Sequence, residues 1–474
     1  MLIQVLVDTC TEIMYELTRI KNYHAAEMTK TTNICKYWVS SRNRFCKFQV
    51  AKETDEYCAV HNVGTGDKER ILCPVDPRHM IFKKDTEKHV LKCTKVIEDM
   101  FVSRQPFTSK GCNSVPVSTK HDIPADDSMF SDDELEKWRV RLSSSRSRLV
   151  SRIQSLRPDF IAVDESVSCT SDWSGSVEAC VAEMTGGSSE ARTAVDKHNL
   201  QNACLLQVLN QTGLAPTRTS KRIFVELGCG KAGLTRWLMY SLPEGEASPS
   251  DSPVFLLLDY EARRNKNENR KDLQSRVSSS NVVRLRSDIR DVDLCQFLTK
   301  KNMDEIPSIQ GKPGSPEFRL SELDAKVVAI QARETWPYTE VVGTAKHLCG
   351  AATDFGLRAL YRVRDRNVSL VFATCCHHRC DWHQLVSREV LEDLNACSSE
   401  QEFKRMISMA GWATTEGIVD SKRLLGRLVK SVIDLSRVLW LVTQFPNASL
   451  FEYRKYIEDG ITPESFCIVM RSTL

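Results

Sequence analysis

Two clusters of cysteine and histidine near the amino end of the chain have the spacing of metal-binding sites. The first cluster, C-x10-C-x11-C-x2-H, comprises Cys35, Cys46, Cys58 and His61. The second cluster, C-x5-H-x9-H-x3-C, comprises Cys73, His79, His89 and Cys93. Sets of four thiolate and imidazole ligands suit a structural Zn²⁺ site. Because neither segment is apolar enough to form a core alone, we expect Zn²⁺ to supply its folding energy.

A glycine-rich turn follows an apolar stretch in RIFVELGCGKAGLTRWL, residues 222–238. The run from Ile223 to Leu227 predicts a buried strand, Gly228 and Gly230 predict a tight turn, and the residues after them predict a helix. A glycine turn between strand and helix lets a ligand approach the backbone closely. The E-x-G-x-G spacing, which begins at Glu226, differs from the dinucleotide-binding pattern G-x-G-x-x-G.

Two acids stand at the ends of further predicted strands. Asp259 follows VFLLL, and Asp288 follows NVVRLRS. A carboxylate in such a position can accept hydrogen bonds from ribose hydroxyls. Asp259 could instead cap the next helix, but the order of the motifs favours a nucleotide cofactor.

The run TCCHHRCDW, Thr374 to Trp382, directly follows the predicted strand 369–373. It therefore lies at the carboxyl end of a strand, where open sheets carry their chemistry. Three interpretations are open: a substrate-binding and catalytic loop, a third metal site, or a packed turn. Of these interpretations the metal site is ranked last, because adjacent residues in so short a run rarely supply all four ligands of one tetrahedral metal ion.

These motifs require an α/β fold with several domains. The chain has 474 residues and a net charge of +3, so any basic surface must be local. Helical and strand patterns alternate from about residue 191, with polar insertions at 241–252 and 301–322. Residues 1–32 read as an extension containing an amphipathic helix. Residues 98–190 read as a polar linker with one helix beginning near Ser131.

Two basic segments are candidate RNA contacts. Between Lys137 and Arg157 there are seven basic residues and no acid, which fits either an arm along a phosphate backbone or a solvated helix face. The segment 261–272 adds five more: Arg263, Arg264, Lys266, Arg270 and Lys271.

The 18 cysteines occur without a secretory signal. We therefore expect reduced thiols and a soluble, intracellular protein of the nucleus and/or cytoplasm. No apolar run is long enough to span a membrane, so no membrane association is expected. Oligomeric state and protein partners are not predicted.

Taken together, the motifs resemble one family, the eukaryotic tRNA 2′-O-methyltransferases that modify the ribose of nucleotide 4 in the acceptor stem. The resemblance rests on the two clusters and on VELGCGKAGLT, KHLCGAATD and CCHHRCDW, and covers roughly residues 33–95 and 195–470. The second cluster is also similar to a CHHC finger of spliceosomal RNA-binding proteins. The resemblance implies a CCCH finger at 33–64, a CHHC finger at 70–97 and a class I, Rossmann-like methyltransferase domain at 191–474.

The resemblance also implies two cofactors, S-adenosylmethionine and Zn²⁺, and tRNA as the macromolecular partner. Glu226, Gly228 and Gly230 would hold the methionine end, Asp259 the ribose and Asp288 the adenine. The substrate-side motifs are matched by Lys346, His347, His377, His378, Arg379 and Asp381. His377, His378 and Asp381 are candidate bases for in-line attack by the 2′-oxygen, and Lys346 or Arg379 would orient phosphate or that oxygen.

One departure from the family is expected. There the strand equivalent to VVAI runs almost directly into KHLCG, whereas here Gln331 to Thr344 intervene, as a loop extension or a mis-assembled coding sequence.

Two rival functions differ in class. A non-catalytic zinc-finger RNA-binding protein would not need Glu226, Asp259 and Asp288 together. A methyltransferase for proteins or small molecules would leave the fingers unexplained, and the chain lacks an N/D-P-P-Y/F motif for planar nitrogen.

Overall fold

The computed structural model separates the chain into two compact units, Met1–Phe101 and Val102–Leu474. The residues that it describes are 34–39, 44–50, 52, 55–58, 61–62, 69–76, 79–91, 93–116, 130–163, 197–245, 249–250, 252–261, 267–334, 336 and 340–472. Outside these residues lie the predicted extension 1–32, two parts of the predicted linker (117–129 and 164–190), and Arg263, Arg264 and Lys266.

The strands among the described residues are β1 (Trp38–Val39), β2 (Arg44–Phe45), β3 (Arg70–Leu72), β4 (Met80–Phe82), β5 (Ile161–Val163), β6 (Arg222–Leu227), β7 (Val254–Leu258), β8 (Val282–Leu285), β9 (Glu340–Cys349), β10 (Asn367–Cys375), β11 (Ala448–Lys455) and β12 (Phe466–Ser472). The helices there are α1 (Thr86–Val90), α2 (Thr94–Ser103), α3 (Asp132–Leu156), α4 (Lys197–Gln211), α5 (Gly233–Tyr240), α6 (Leu294–Phe297), α7 (Pro316–Gln331), α8 (Ala351–Tyr361), α9 (Arg388–Asp393), α10 (Glu400–Ala410) and α11 (Asp420–Gln444). No described helix is long and apolar enough to cross a bilayer.

The larger unit is built on one eight-stranded sheet in the order β5-β11-β12-β10-β9-β6-β7-β8. Among these strands β12 alone runs antiparallel to its neighbours. The carboxyl ends of β6, β7, β8, β9 and β10 therefore meet at one edge of the sheet. This mixed α/β architecture confirms the predicted fold class.

Both faces of the sheet are covered, which explains why its central strands are almost continuously apolar. Ile223 and Val225 of β6 point into the core that includes α3, α8 and α11. Phe224, between them, points to the opposite core, which includes α4 and α5. The period-2 alternation of side chains thus divides one strand between two cores.

The structure corrects the prediction of a linker at 98–190 for the part that it describes. Helix α3 begins at Asp132, and the Ser131 side chain caps it by accepting a hydrogen bond from the Glu134 amide, as predicted. However, Trp138, Leu142, Leu149 and Ile153 of this helix are buried in the core of the larger unit. The helix is an integral part of that unit.

Three arginines of α3 bind protein groups, which argues against their use in an arm along a phosphate backbone. Arg141 donates to both carboxylate oxygens of Glu402 at 2.8 and 2.9 Å. Arg146 donates to the Ser431 hydroxyl at 3.0 Å, and Arg148 to the Leu394 carbonyl. In the second basic segment, 261–272, Arg270 forms an ion pair with Asp272.

The supposed extension before KHLCG is also explained. VVAI was interpreted as a strand, but it lies within helix α7, which begins after a Ser315 cap. The strand that leads into KHLC is β9, and EVVGTA forms its first part. Residues 332–339 connect α7 to β9, so Gln331 to Thr344 are a helix end, a connection and a strand. Four apolar residues in a row are compatible with a helix as well as with a strand, so the prediction of a strand at VVAI was wrong.

Candidate cofactor-binding cleft and metal centres

The glycine turn after β6 has the backbone geometry that its sequence predicts. Gly228 and Gly230 have φ angles of 68° and 53°, a region that favours glycine. A Cβ on Gly230 would meet nothing within 4 Å, so the turn opens onto empty space. Arg284 of β8 supports it by donating to the Gly230 carbonyl at 3.0 Å and by pairing with Glu268. The backbone is thus held open to a ligand.

Asp259 lies beside this turn. One carboxylate oxygen accepts from the Gly230 amide and the other from the Glu261 amide, both at 2.7 Å. A carboxylate has about four acceptor positions, so Asp259 can also accept from a ligand hydroxyl. Asp288 caps a short 3₁₀ helix through the Arg290 amide at 2.9 Å and pairs with the Arg290 side chain. Both acids face the same cleft.

Glu226 is the buried acid of the site. Burial raises the pKa of Glu226 to about 7, although hydrogen bonds from the Thr235 side chain and amide oppose the shift. A ligand ammonium group would favour the ionised form. Asn202 of α4 lines the same cleft, and its side-chain oxygen has no partner among the described residues. The site therefore fits a ligand with an amino group and ribose hydroxyls.

These groups line one open cleft of about 1120 Å³ at the carboxyl edge of the sheet. The cofactor-side candidates Glu226, Gly228, Gly230, Asp259 and Asp288 are all in its wall. Lys346, His347 and Arg379 lie in the same wall, so candidate cofactor and substrate groups share one cavity. Lys231, Arg236 and Arg290 add positive charge.

His347 has an uncommon backbone conformation for a histidine, with φ of 63°. Its Nε2 lies 3.3 Å from the Gln201 side-chain oxygen, and its ring meets that of His198 edge to face at 5.9 Å between centroids. Desolvation, together with the charge of Lys346 and the proximity of His198, lowers the pKa of His347 to about 4. The ring is therefore neutral at pH 7. Sequence reasoning missed His198 and Asn202, because α4 carries no recognisable motif.

The other proposed catalytic residues lie outside the wall of the cleft. His377 is buried, and its Nε2 is 2.9 Å from an oxygen of Asp434 on α11. His378 is exposed but is not in the cleft wall. Asp381 accepts from the amides of His383 and Gln384 and so caps the following turn. None of the three lies in the wall of the cleft, so their expected role as bases stays a prediction.

A buried charge network joins the turns that border the cleft. Arg437 on α11 donates to both oxygens of Asp354 on α8 and, at 3.1 Å, to Asp434. It also reaches the Gly350 carbonyl. Burial alone would raise the pKa of Asp434, but the charges of His377 and Arg437 lower it. Asp434 thus remains an acceptor for His377, which positions the 3₁₀ turn His377–Arg379.

Gly350, directly after β9, touches that same turn. A Cβ on Gly350 would lie 2.2 Å from the Arg379 carbonyl oxygen, and its φ and ψ of 57° and −127° suit glycine. We expect Gly350→Ala to lower the free energy of unfolding by about 1–3 kcal/mol and to move Arg379. Urea denaturation measures this, with Gly411→Ala, in a helical conformation and open space, as the control. Equal effects of both substitutions would disprove the close approach.

The first metal cluster converges as its spacing predicts. The ligand atoms of Cys35, Cys46, Cys58 and His61 all lie within 4.8 Å of one another. His61 Nδ1 is 3.4 Å from both the Cys35 and the Cys58 sulfur. Tetrahedral Zn²⁺ with bonds of about 2.3 Å to sulfur and 2.0 Å to nitrogen requires similar separations.

The second cluster is similar. The ligand atoms of Cys73, His79, His89 and Cys93 also lie within 4.8 Å of one another. The sulfurs of Cys73 and Cys93 are 3.9 Å apart, and the Nε2 atoms of the two histidines are 2.9 Å apart. Cys73 directly follows β3, His79 directly precedes β4, and α1 carries His89. Both clusters thus fit four-ligand Zn²⁺ sites.

We expect Cys73→Ser to reduce bound zinc from two ions to one per chain, since three remaining ligands hold Zn²⁺ poorly. Elemental analysis of the purified protein measures this. Cys112→Ser, whose thiol lies outside both clusters, is the control and should keep both ions. Two ions in Cys73→Ser would contradict the assignment.

The sheet order, the glycine turn and the acids at the strand ends together define a class I methyltransferase. The family described as Methyltransferase TRM13 matches residues 200–423, and the CCCH zinc finger of TRM13 proteins matches residues 33–62. The chain belongs to the TRM13 methyltransferase family, whose methyl donor is S-adenosylmethionine.

Curated relatives extend this similarity over most of the chain. A "tRNA:m(4)X modification enzyme TRM13" of Vanderwaltozyma polyspora is 22% identical over 92% of this chain and 96% of its own length. The Saccharomyces cerevisiae protein of the same name is 23% identical over 92% and 95%. The Homo sapiens "tRNA:m(4)X modification enzyme TRM13 homolog" is 25% identical over 80% and 74%.

Proposed function

We propose that the chain transfers a methyl group from S-adenosylmethionine to the ribose 2′-hydroxyl of nucleotide 4 in the tRNA acceptor stem. The observation that carries this proposal is the single cleft that holds both the cofactor-side acids and the basic residues of the substrate-side motifs. The names of the relatives, tRNA:m(4)X modification enzymes, support the substrate.

On the cofactor side, Glu226 and the turn at Gly228 and Gly230 would hold the amino-acid end, while Asp259 accepts from the ribose hydroxyls. Asp288 would lie beside the base. The bound cofactor supplies a methyl group activated by positive sulfur. The residues of the chain therefore have mainly to position the nucleophile, which in well-oriented reactions contributes on the order of 7–11 kcal/mol.

On the substrate side, Lys346 and Arg379 would bind the phosphate next to the target ribose and orient its 2′-oxygen. We assign the proton acceptor to His347, because it is the histidine of the substrate-side motifs that lines the cleft. Its lowered pKa, about 4, keeps the ring unprotonated at pH 7 but also makes it a weak base, so positioning of the 2′-oxygen must contribute most. His377 supports this site indirectly, through the 3₁₀ turn His377–Arg379. His378 lies in the same turn, and Asp381 follows it.

The shape of the substrate supports such a site. An A-form stem presents its 2′-hydroxyls in a wide, shallow minor groove, while its base edges lie in a deep, narrow groove. An open cleft lined by Lys231, Arg236 and Arg290 as well as Lys346 can bind such a stem through phosphates and shape. The two modules at 33–64 and 70–97 would add RNA contacts. A tRNA substrate would place the protein in the nucleus or cytoplasm.

The test is to incubate the zinc-loaded protein with methyl-labelled cofactor and bulk tRNA, and then to map the label by nuclease digestion and mass spectrometry. We expect one 2′-O-methylated ribose at nucleotide 4 of the acceptor stem. Label on a base or on another nucleotide would overturn the assignment. Tight tRNA binding without any label would instead favour a non-catalytic zinc-finger RNA-binding protein.

A further inference from the structure

A third group of thiols lies at the edge of the cleft, outside both zinc clusters. Cys349 is the last residue of β9 and Cys375 the last of β10, and the two are direct partners in the parallel register. Their sulfur atoms are 3.2 Å apart. Cys376 is the next residue, and the three sulfurs lie within 4.8 Å of one another.

The two paired thiols differ in accessibility. Cys349 lines the cleft and is half-buried, so of the two thiols it is the one that borders the cleft. Cys375 is only 3% exposed and is reached through Cys349. This arrangement, one accessible thiol with a shielded thiol behind it, is that of an attacking and a resolving cysteine.

The charge distribution activates the accessible thiol. The hydrogen bond from Cys375 lowers the pKa of Cys349; burial opposes this shift, and Cys376 and Arg379 reinforce it. Of the two paired thiols Cys349 therefore loses its proton more readily, and the thiolate is the form that reacts with oxidants. The hydrogen bond to Cys349, together with burial and the neighbouring negative charge, raises the pKa of Cys375, which keeps it as the thiol donor.

The geometry differs from that of the zinc clusters. Those contain four ligands, and the sulfurs of Cys73 and Cys93 are 3.9 Å apart. Here the group holds three thiols and no fourth Cys, His, Asp or Glu ligand atom among the described residues. The sulfur separation of 3.2 Å is also shorter than two thiolates on one Zn²⁺ would adopt, about 3.8 Å for tetrahedral bonds of 2.3 Å. The cluster is built for thiol exchange.

We propose that Cys349 is an oxidation site for small hydroperoxides and that Cys375 resolves it as a disulfide between the ends of β9 and β10. The Cys349 thiolate attacks one peroxide oxygen, the O–O bond breaks, and the leaving oxygen departs as hydroxide or alkoxide and takes up a proton. The resulting sulfenic acid is attacked by the Cys375 sulfur, which loses its proton, and water leaves. The peroxide is reduced by two electrons and the two thiols are oxidised.

This disulfide would alter the methyltransferase site. Bond formation shortens the sulfur separation from 3.2 Å to about 2.05 Å and locks the strand ends that carry His347 and the turn His377–Arg379. We therefore expect oxidation to inhibit methyl transfer reversibly. This consequence depends on the proposed function, whereas formation of the disulfide does not.

The test treats the zinc-loaded full chain with hydrogen peroxide, alkylates remaining thiols and digests with trypsin. Cleavage after Lys346, Arg358, Arg366 and Arg379 isolates peptides 347–358 and 367–379, so the predicted product is one cross-linked pair. Cys375→Ser should instead leave a sulfenic acid on Cys349 that dimedone traps, and Cys376→Ser should still form the cross-link. The exposed Cys295, whose pKa burial raises, is an internal control that should react at least about tenfold more slowly.

Absence of the cross-link in the wild type, or oxidation of Cys349 no faster than Cys295, would overturn the proposal. A third zinc ion per chain that disappears in Cys349→Ser would also overturn it by revealing a metal site. For activity, each variant is compared with its own untreated sample. Wild-type methyl transfer should fall about tenfold and recover with dithiothreitol, whereas Cys349→Ser should show no such reversible loss. A cross-link in a protein without methyltransferase activity would refute the proposed function alone.

Discussion

Replacing Arg437 with methionine is expected to lower the free energy of unfolding by about 3–5 kcal/mol, because it leaves the buried carboxylate of Asp354 without its charged partner and removes one of the groups that bind Asp434. Arg437, Asp354 and Asp434 are each no more than 1% exposed. The Arg437 guanidinium donates hydrogen bonds to both carboxylate oxygens of Asp354 and also pairs with Asp434. Methionine retains much of the side-chain volume, so a large loss would report the charge and its hydrogen bonds. Urea denaturation of the zinc-loaded protein measures the effect.

Arg423→Met on the same helix is the matched control. Arg423 pairs with Asp420 at 3.0 Å, and that carboxylate is 87% exposed. An exposed pair contributes about 0–1 kcal/mol, so this variant should unfold almost like the wild type. If Arg437→Met were as stable as Arg423→Met, the buried network would not hold the turns around Gly350 and His377.

His347→Ala is expected to reduce methyl transfer by about 10²–10⁴-fold with nearly unchanged cofactor affinity, since it removes the proposed proton acceptor. Single-turnover kinetics on tRNA measure the chemical step. The matched control is His383→Ala, because His383 pairs with Glu400 at 3.0 Å and is not in the wall of the cleft. Equal single-turnover rates for His347→Ala and the wild type would refute the assignment.

The pH dependence of the single-turnover rate tests the assignment of His347 a second time. The neutral ring is the reactive form, and it is protonated only as the pH falls through its lowered pKa, about 4. The single-turnover rate should therefore show no decline near pH 6.5 on this account. A descending limb at pH 6.5 that disappears in His347→Ala would show an ordinary histidine there and contradict the cause given for its pKa.

The cofactor side of the site could be predicted from sequence because its groups are local. Gly228 and Gly230 follow their strand directly, and Asp259 and Asp288 stand at or just beyond strand ends. Parallel strands bring such positions to one edge, so pattern alone places them together. The zinc ligands were predictable for a similar reason, since thiol and imidazole spacing constrains the fold of small modules.

The substrate side was less predictable because it depends on contacts between distant positions. His377 looked like a catalytic base beside Arg379, yet its ring turns inward to Asp434, 57 positions later. Arg437 and Asp354 are 83 positions apart and form an ion pair that no local sequence pattern predicts. In the same way the arginines of α3 suggested RNA, but Arg141 binds Glu402.

The central claim, that the cleft beside the glycine turn binds S-adenosylmethionine through Asp259, is tested most directly by calorimetric titration of the full chain with that cofactor. We predict one cofactor per chain and an affinity at least about tenfold weaker in Asp259→Ala, because a hydrogen bond to a charged group contributes about 1.5–3 kcal/mol. The control is Asp365→Ala, because Asp365 is exposed and lies just before the amino end of β10. This variant should bind the cofactor with the affinity of the wild type. No heat of binding in the wild type, or equal affinity in Asp259→Ala, would contradict the account.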